Sequence, residues 1–260
     1  MTPIAYQPPF DLSEIVNNLV TEDDEPVDNV LTEKQERLLT RTLYSSWTPP
    51  PDEDNPTEPR LFWASANVGV FFSVRQPPLV PDVFLSLDVA APADMHAATG
   101  RSYFVWEYGK VPDVVIEVVS LHEGGELTRK LREYARMGVH YYVVFDPLQR
   151  SSSDVLRVYE PGLQRRYYLR NDYELPEVGL SLTLWHGTFE GTNYHQWLRW
   201  CDADGKLILT GAERATLEQQ RATQAEDRAT QAENRATQAE NRAIRLAAKL
   251  RALGLDPDEG

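Results

Sequence analysis

The chain has 260 residues, of which 42% are hydrophobic, so it is long enough for one domain with a substantial core plus an appendage. Its formal charge of −14 argues against a general nucleic-acid-binding protein, because phosphate contacts require clustered lysine and arginine. The single cysteine, Cys201, excludes an intramolecular disulfide and a cysteine-based zinc cluster.

No stretch of the chain approaches 18 apolar residues, and the N-terminus lacks the basic and apolar regions of a signal peptide. We therefore expect a cytoplasmic protein that does not enter a membrane. The acidic excess is concentrated at the start, since residues 1–60 contain 13 acidic and 4 basic side chains. The middle of the chain contains five arginines that could form a local basic face or belong to a solvated surface of mixed charge. They are Arg150, Arg157, Arg165, Arg166 and Arg170.

The first segment, residues 1–30, is rich in proline and acidic residues and is predicted to be an arm, with a short helix over 12–19 compatible with its pattern. Thr32 and Gln35 have the spacing of a capping box, which predicts a helix over about 33–46. A proline-rich loop follows this helix.

Strand patterns dominate the middle of the chain. Residues 61–74 have a strand pattern, the pattern recurs over 77–89 after a proline turn, and 103–106 is a possible short strand. The order strand, helix, strand over 111–145 predicts a βαβ crossover within a mixed sheet, with the helix over Glu126–Met137 ended by Gly138. Later strand segments are expected to complete that sheet or to form its edge: 154–160, 165–169 and 180–185.

From Arg214 the sequence repeats every seven residues. The apolar positions keep a 3,4 alternation over more than three heptads, which is typical of a coiled coil. We expect a homodimer through residues 214–253, the alternative being a single exposed helix. The apolar seam consists of Ala222, Ala225, Ala229, Ala232, Ala236, Ala239, Ala243, Leu246, Leu250 and Leu253.

Glu117 interrupts the predicted apolar strand 114–119. Burying a carboxylate there costs several kcal/mol of folding free energy unless a cation pairs with it or hydrogen bonds satisfy it. Lys130 on the following helix is a candidate cation, because that helix packs back on the sheet. Asp113 lies four residues away, about 13 Å along a strand, which is too far to share a metal ion. Asp82, before a neighbouring strand, is a candidate partner, although a Pro-Asp pair is more often structural.

The motifs P-D-V-F-L, P-D-V-V-I-E-V-V-S, E-L-T-R-K-L-R-E-Y-A-R-M-G-V and Y-Y-V-V-F-D-P occur in this order between residues 81 and 147. Together they resemble the Uma-type family of putative restriction endonucleases, within the PD-(D/E)XK nuclease superfamily, over about residues 31–190. The resemblance implies a restriction-endonuclease-like α/β fold, with a mixed sheet flanked by helices and here followed by the coiled-coil helix.

The resemblance also implies a site. Asp82 and Glu117 would bind Mg²⁺ or Mn²⁺, and Lys130 would be the catalytic lysine, displaced onto the helix. Weaker candidates are Glu126, which precedes that lysine by four residues, and Glu36 on the first helix, with Glu33 behind it. Tyr134 matches the family's tyrosine, whereas Asp113 is a weaker candidate that distance disfavours.

The resulting hypothesis is a metal-dependent endodeoxyribonuclease in which Lys130 activates water, with DNA as substrate. The alternative is a nuclease fold retained as a non-catalytic binding or scaffold module that oligomerises through its coiled coil. The predicted organisation is an acidic arm at 1–30, a core at 31–205, a coiled-coil helix at 206–254 and a tail at 255–260.

Overall fold

The computed structural model describes residues 29–52, 56–94, 96–120 and 125–252. The predicted arm lies outside these residues except for its last two positions, and the predicted short helix at 12–19, the end of the apolar seam at Leu253 and the tail lie outside them entirely. Within the described ranges, no helix combines the length and apolarity that crossing a membrane requires.

The described residues form eleven strands and four α-helices, which we number in chain order. The strands are β1 Phe62–Ala66, β2 Val70–Phe71, β3 Val83–Leu87, β4 Tyr103–Phe104, β5 Val114–Val118, β6 Tyr141–Phe145, β7 Leu156–Pro161, β8 Tyr167–Leu169, β9 Glu174–Leu175, β10 Leu180–Phe189 and β11 Thr192–Asp202. The helices are α1 Val30–Ser46, α2 Val105–Tyr108, α3 Leu131–Met137 and α4 Gly211–Ala252, and a π-helical turn, Glu126–Lys130, precedes α3.

A six-stranded mixed sheet with the order β1-β3-β5-β6-β7-β8 forms the centre of the fold. β5 and β6 run parallel, and the other neighbouring pairs of this sheet are antiparallel. The segment with the π-turn and α3 joins the two parallel strands, so the predicted βαβ crossover in a mixed sheet is confirmed. Gly138 ends the crossover helix at φ 96°, a left-handed conformation that glycine adopts without steric cost.

Both faces of the central sheet are covered, because β3, β5 and β6 are buried at every position. Val114, Ile116 and Val118 belong to a core shared with α1 and with β10 and β11. Val115 belongs to a second core, on the opposite face, that includes Tyr134 of α3. Since side chains alternate along a strand, Glu117 shares the face of Val115.

A separate three-stranded antiparallel sheet has the order β11-β10-β9. The expectation that the segment at 180–185 completes the central sheet or forms its edge is therefore wrong, and the long strand β11 was not predicted. Leu182, Leu198 and Trp200 join the core on one face of the central sheet, so this hairpin stacks on that face instead of pairing with an edge. The segments at 154–160 and 165–169 do extend the central sheet, as β7 and β8.

The first helix begins three residues before the predicted start, because Asn29 caps it. Asn29 Oδ1 accepts the backbone N–H of Thr32 at 3.0 Å, so the capping box predicted at Thr32 and Gln35 is wrong. Gln35 is buried instead, and its side-chain amide exchanges two hydrogen bonds, of 2.8 and 3.0 Å, with the backbone of Leu198 on β11. The same polar side chain that suggested a cap therefore joins α1 to a strand.

The chain divides into two compact units, with the boundary between Thr210 and Gly211. The second unit contains α4, a helix of 42 residues, none of which is buried. Ile244 and Leu246 are 61% and 59% exposed. Association of α4 with a second copy stays a prediction.

Candidate active site

Glu117 is completely buried on β5, with both carboxylate oxygens bonded to the crossover segment. Oε2 accepts a hydrogen bond from Lys130 Nζ at 2.6 Å, and Oε1 accepts one from the Tyr134 hydroxyl at 2.9 Å. Lys130 and Tyr134 are four residues apart, so they lie on the same side of the helix. This side faces the sheet surface that carries Glu117, which explains why the two donors reach it.

Asp82 lies immediately before β3, next to Glu117. Val83 pairs with Ile116 in the antiparallel β3–β5 register, so Asp82 lies opposite Glu117. Asp82 Oδ2 also accepts the backbone N–H of Val118 at 2.5 Å. The two carboxylates predicted to bind a metal ion are thus brought together at one point of the sheet.

Burial, and then the nearby charge of Asp82, raise the pKa of the Glu117 carboxyl to about 8, although Lys130 and Tyr134 act in the opposite direction. Burial lowers the pKa of Lys130, but Glu117 and Asp82 more than offset this effect, so that pKa lies above its usual value. The rise depends on an ionised Glu117. While Glu117 is ionised, Lys130 is therefore held as a cation that donates hydrogen bonds and does not accept a proton.

Tyr134 acts as a neutral donor to Glu117. Burial first, and then the charge of Glu117, raise the pKa of its hydroxyl well above the usual value. Its ring lies 5.1 Å from that of Tyr142, centroid to centroid, and the Tyr142 hydroxyl donates to the backbone carbonyl of Glu126 at 2.8 Å. The two tyrosines therefore connect β5, β6 and the π-turn that carries Lys130.

Glu126 and Glu36, the weaker candidates, lie at the border of this group. Glu126 is 6% exposed at the start of the π-turn, and its charge contributes to the raised pKa of Lys130. Glu36 on α1 is 4% exposed, and its Oε2 accepts a hydrogen bond from Asn67 Nδ2 at 2.7 Å. The backbone N–H of Asn67 in turn donates to the carbonyl of Asp82 at 3.3 Å.

Asn67 was missed by the sequence analysis, although it links α1 to the segment before β3. It has a φ of 54°, in the left-handed region that asparagine tolerates better than most residues. An asparagine directly after an apolar strand segment was the available signal, but turn residues of this kind are common. Sequence alone gave no reason to select this one.

Asp113 and Glu33 lie elsewhere. Asp113 is at the opposite end of β5, where Oδ2 accepts the backbone N–H of Leu87 at 2.7 Å and pairs with Lys110 Nζ at 2.8 Å. Glu33 forms an ion pair with Arg37 at 2.7 Å on the surface of α1. Neither carboxylate is joined to Glu117 by any contact in the described residues.

The donor set fits a hard divalent cation with few protein ligands. Among the residues that the structure describes, no group of three or more His, Cys, Asp or Glu is arranged to hold a metal ion. Mg²⁺, however, is commonly bound through one or two carboxylates, with water and substrate phosphate completing its octahedron. Burial first, and then repulsion by Asp82, raise the pKa of the Glu117 carboxyl, and a cation bound by both carboxylates would offset that repulsion.

Comparisons with known proteins give a family match and matches among solved structures. A family model described as "Uma2: Putative restriction endonuclease" matches residues 24–189. A solved structure of a protein described as a putative nuclease belonging to DUF820, from Anabaena variabilis ATCC 29413, is 14% identical with a TM-score of 0.38, over 58% of this chain and 73% of that chain. No curated protein matches the sequence.

Proposed function

Because this chain belongs to the Uma2 family of putative restriction endonucleases, we propose that it hydrolyses DNA phosphodiester bonds with a divalent cation, Mg²⁺ or Mn²⁺, bound by Asp82 and Glu117. The observation that carries the proposal is the fully buried Glu117, placed between a second carboxylate and a lysine. A purely structural role would favour a neutral side chain at this position, because burying charge is costly even when it is paired.

When bound, Mg²⁺ supplies positive charge that stabilises the negative charge developing on the phosphate. Lys130 is well placed to orient an attacking water and to offset the same charge, since its raised pKa keeps it a hydrogen-bond donor. In this proposal bulk solvent accepts the proton of the attacking water as its oxygen bonds to phosphorus, and solvent also protonates the leaving oxygen as its bond to phosphorus breaks. Tyr134 holds Oε1 of Glu117 and so fixes the direction of the carboxylate.

The test is cleavage of a supercoiled plasmid with Mg²⁺ or Mn²⁺, with chelation by EDTA as the negative control. Lys130→Met and Glu117→Gln are expected to abolish cleavage. The chain offers a control at the other end of β5, where Lys110 forms a more exposed ion pair with Asp113. Lys110→Met removes a lysine of the same kind of pair and is expected to leave cleavage intact.

Equal cleavage by the wild type and the Lys130→Met variant would contradict the proposed role of the lysine and would indicate a contaminating nuclease. Equal loss in the Lys130→Met and Lys110→Met variants would show a general effect on folding instead. Thermal denaturation of each variant separates the two explanations.

The unburied surface of α4 favours a second candidate function, a scaffold that acts through association of this helix. In that case residues 214–253 join two chains and the carboxylates at β5 have no reason to bind metal. Isothermal titration with Mn²⁺ distinguishes the two functions. A nuclease binds the ion in the wild type and loses that binding in Glu117→Gln, whereas a scaffold binds it in neither.

A further inference from the structure

Three arginines follow the outer side of the crossover segment that carries Lys130. Arg129, Arg132 and Arg136 are all exposed, and their spacing of three and four residues places them along one side of the helix. Lys130 lies on the inner side and contacts Glu117. The outer side therefore begins at Arg129, one residue before Lys130 in the chain.

Two more exposed arginines precede β8 and adjoin the end of the same helix. Arg165 Nη1 donates to the backbone carbonyl of Arg136 at 3.5 Å. The Tyr167 hydroxyl donates to the carbonyl of Val139 at 2.7 Å, which holds the start of β8 against the residues that follow α3. We call this set, with Arg166, the arginine surface: Arg129, Arg132, Arg136, Arg165 and Arg166.

The arginine surface has little compensating negative charge. Arg129 pairs with Glu133 at 2.8 Å, whereas the other four arginines form no ion pair within the ranges that the structure describes. Arg157 and Arg170, which the sequence grouped with Arg165 and Arg166, are instead neutralised, the first by Asp154 and the second by two carboxylates. Local positive charge of this kind, in a chain of net charge −14, complements an anionic partner.

We propose that the arginine surface binds the phosphate backbone of the DNA strand that flanks the phosphodiester to be cut. The inference rests on the proposed function, because its position beside Lys130 matters only if DNA occupies that site. From Arg129 to Arg136 the helix rises about 10 Å, at about 1.5 Å per residue. This length matches about three nucleotides of one strand, at about 3.4 Å each.

The test is the salt dependence of DNA binding without metal, so that no hydrolysis takes place. A fluorescein-labelled duplex of about 20 base pairs is titrated with the full chain in EDTA at several salt concentrations from about 50 to 200 mM. Each phosphate contact contributes about 0.9 to the slope of log K against log salt. Arg132→Ala with Arg136→Ala is therefore expected to make the slope less negative by about 1.8.

The matched control, Arg228→Ala with Arg235→Ala, makes the same change in charge on exposed positions of α4. It is expected to leave the slope unchanged, and both double variants should keep the melting temperature of the wild type. Equal slopes in the wild type and the Arg132, Arg136 variant would overturn the proposal. An equal change of slope in the Arg228, Arg235 control would also overturn it, because the effect would then come from the overall charge of the chain. Absence of DNA binding by the wild type at the lowest salt concentration would overturn it as well.

Failure of this inference is distinguishable from failure of the proposed function. A wild type that shows metal-dependent cleavage, with the Arg132, Arg136 variant binding and cleaving equally well, overturns the arginine surface and leaves the nuclease in place. The opposite result is that the wild type binds DNA, the double variant changes the slope as expected, and the wild type cleaves nothing with metal. That result supports the arginine surface and overturns the nuclease.

Discussion

Replacing Glu117 with glutamine is expected to remove a pH-dependent weakness of the metal-free protein. Glutamine has nearly the same shape and can still accept a hydrogen bond from Lys130, but it carries no charge into the buried sheet. The wild-type carboxyl has a pKa raised to about 8 by burial and by Asp82, from an ordinary value of 4.5. The free energies of unfolding of the variant and the wild type should therefore differ most near the raised pKa, at the alkaline end of the interval between the two pKa values.

The size of the effect follows from proton linkage. Between the unfolded and the folded pKa, the folded protein keeps a proton on Glu117 that the unfolded chain has released. This contribution to stability is fully present below the unfolded pKa and is lost as pH rises through the folded pKa. One pKa unit corresponds to about 1.4 kcal/mol, so the variant should gain about 4 kcal/mol relative to the wild type from pH about 5 to about 8.

The measurement is the free energy of unfolding in guanidinium chloride with EDTA, at several pH values for both proteins. Taking the difference between the two proteins removes the titration of all other groups. A difference that stays constant across the range would refute the reasoning, because Glu117 would then already be ionised in the fold at the acidic end. Mg²⁺ at the alkaline end should restore stability to the wild type and not to the variant.

Three further outcomes are expected. Tyr134→Phe removes the donor to Oε1 of Glu117, so it should lower the free energy of unfolding by about 1–3 kcal/mol and weaken Mn²⁺ binding in a calorimetric titration. The matched Tyr167→Phe should leave Mn²⁺ binding unchanged. Equal Mn²⁺ affinities in the two variants would contradict the positioning role of Tyr134. Gly138→Ala should lower stability by about 1 kcal/mol, seen as a lower melting temperature, because alanine at φ 96° is strained even though the space around it is open. Truncation after Thr210 should convert a dimer into a monomer in sedimentation analysis, and a dimer that survives would have to be held by the first unit.

Local patterns were reliable where one physical preference dominated. The β-branched run around Glu117 predicted a buried strand, and Gly138 predicted the end of the crossover helix. The order of motifs from residue 81 to 147 predicted the family, which the match over residues 24–189 confirms. The mixed sheet flanked by helices and the long C-terminal helix are likewise as predicted.

Local patterns failed where a polar side chain had two possible partners. Thr32 and Gln35 have the spacing of a capping box, yet Asn29 caps the helix and Gln35 bonds to Leu198, more than 160 residues away in the chain. The strand β11 was missed for a related reason. Its apolar residues pack on the face of another sheet, a contact that no local periodicity reveals.

The sequence by itself determined that a carboxylate would interrupt a buried strand and that a lysine would follow on the next helix, because periodicity and β-propensity act over a few neighbouring residues. Only the tertiary structure decided what surrounds them. The β3–β5 register places Asp82 beside Glu117, and the crossover aims Lys130 and Tyr134 at its two oxygens. The residues brought together in this way lie far apart in the chain, so strand pairing and packing decide which of them meet.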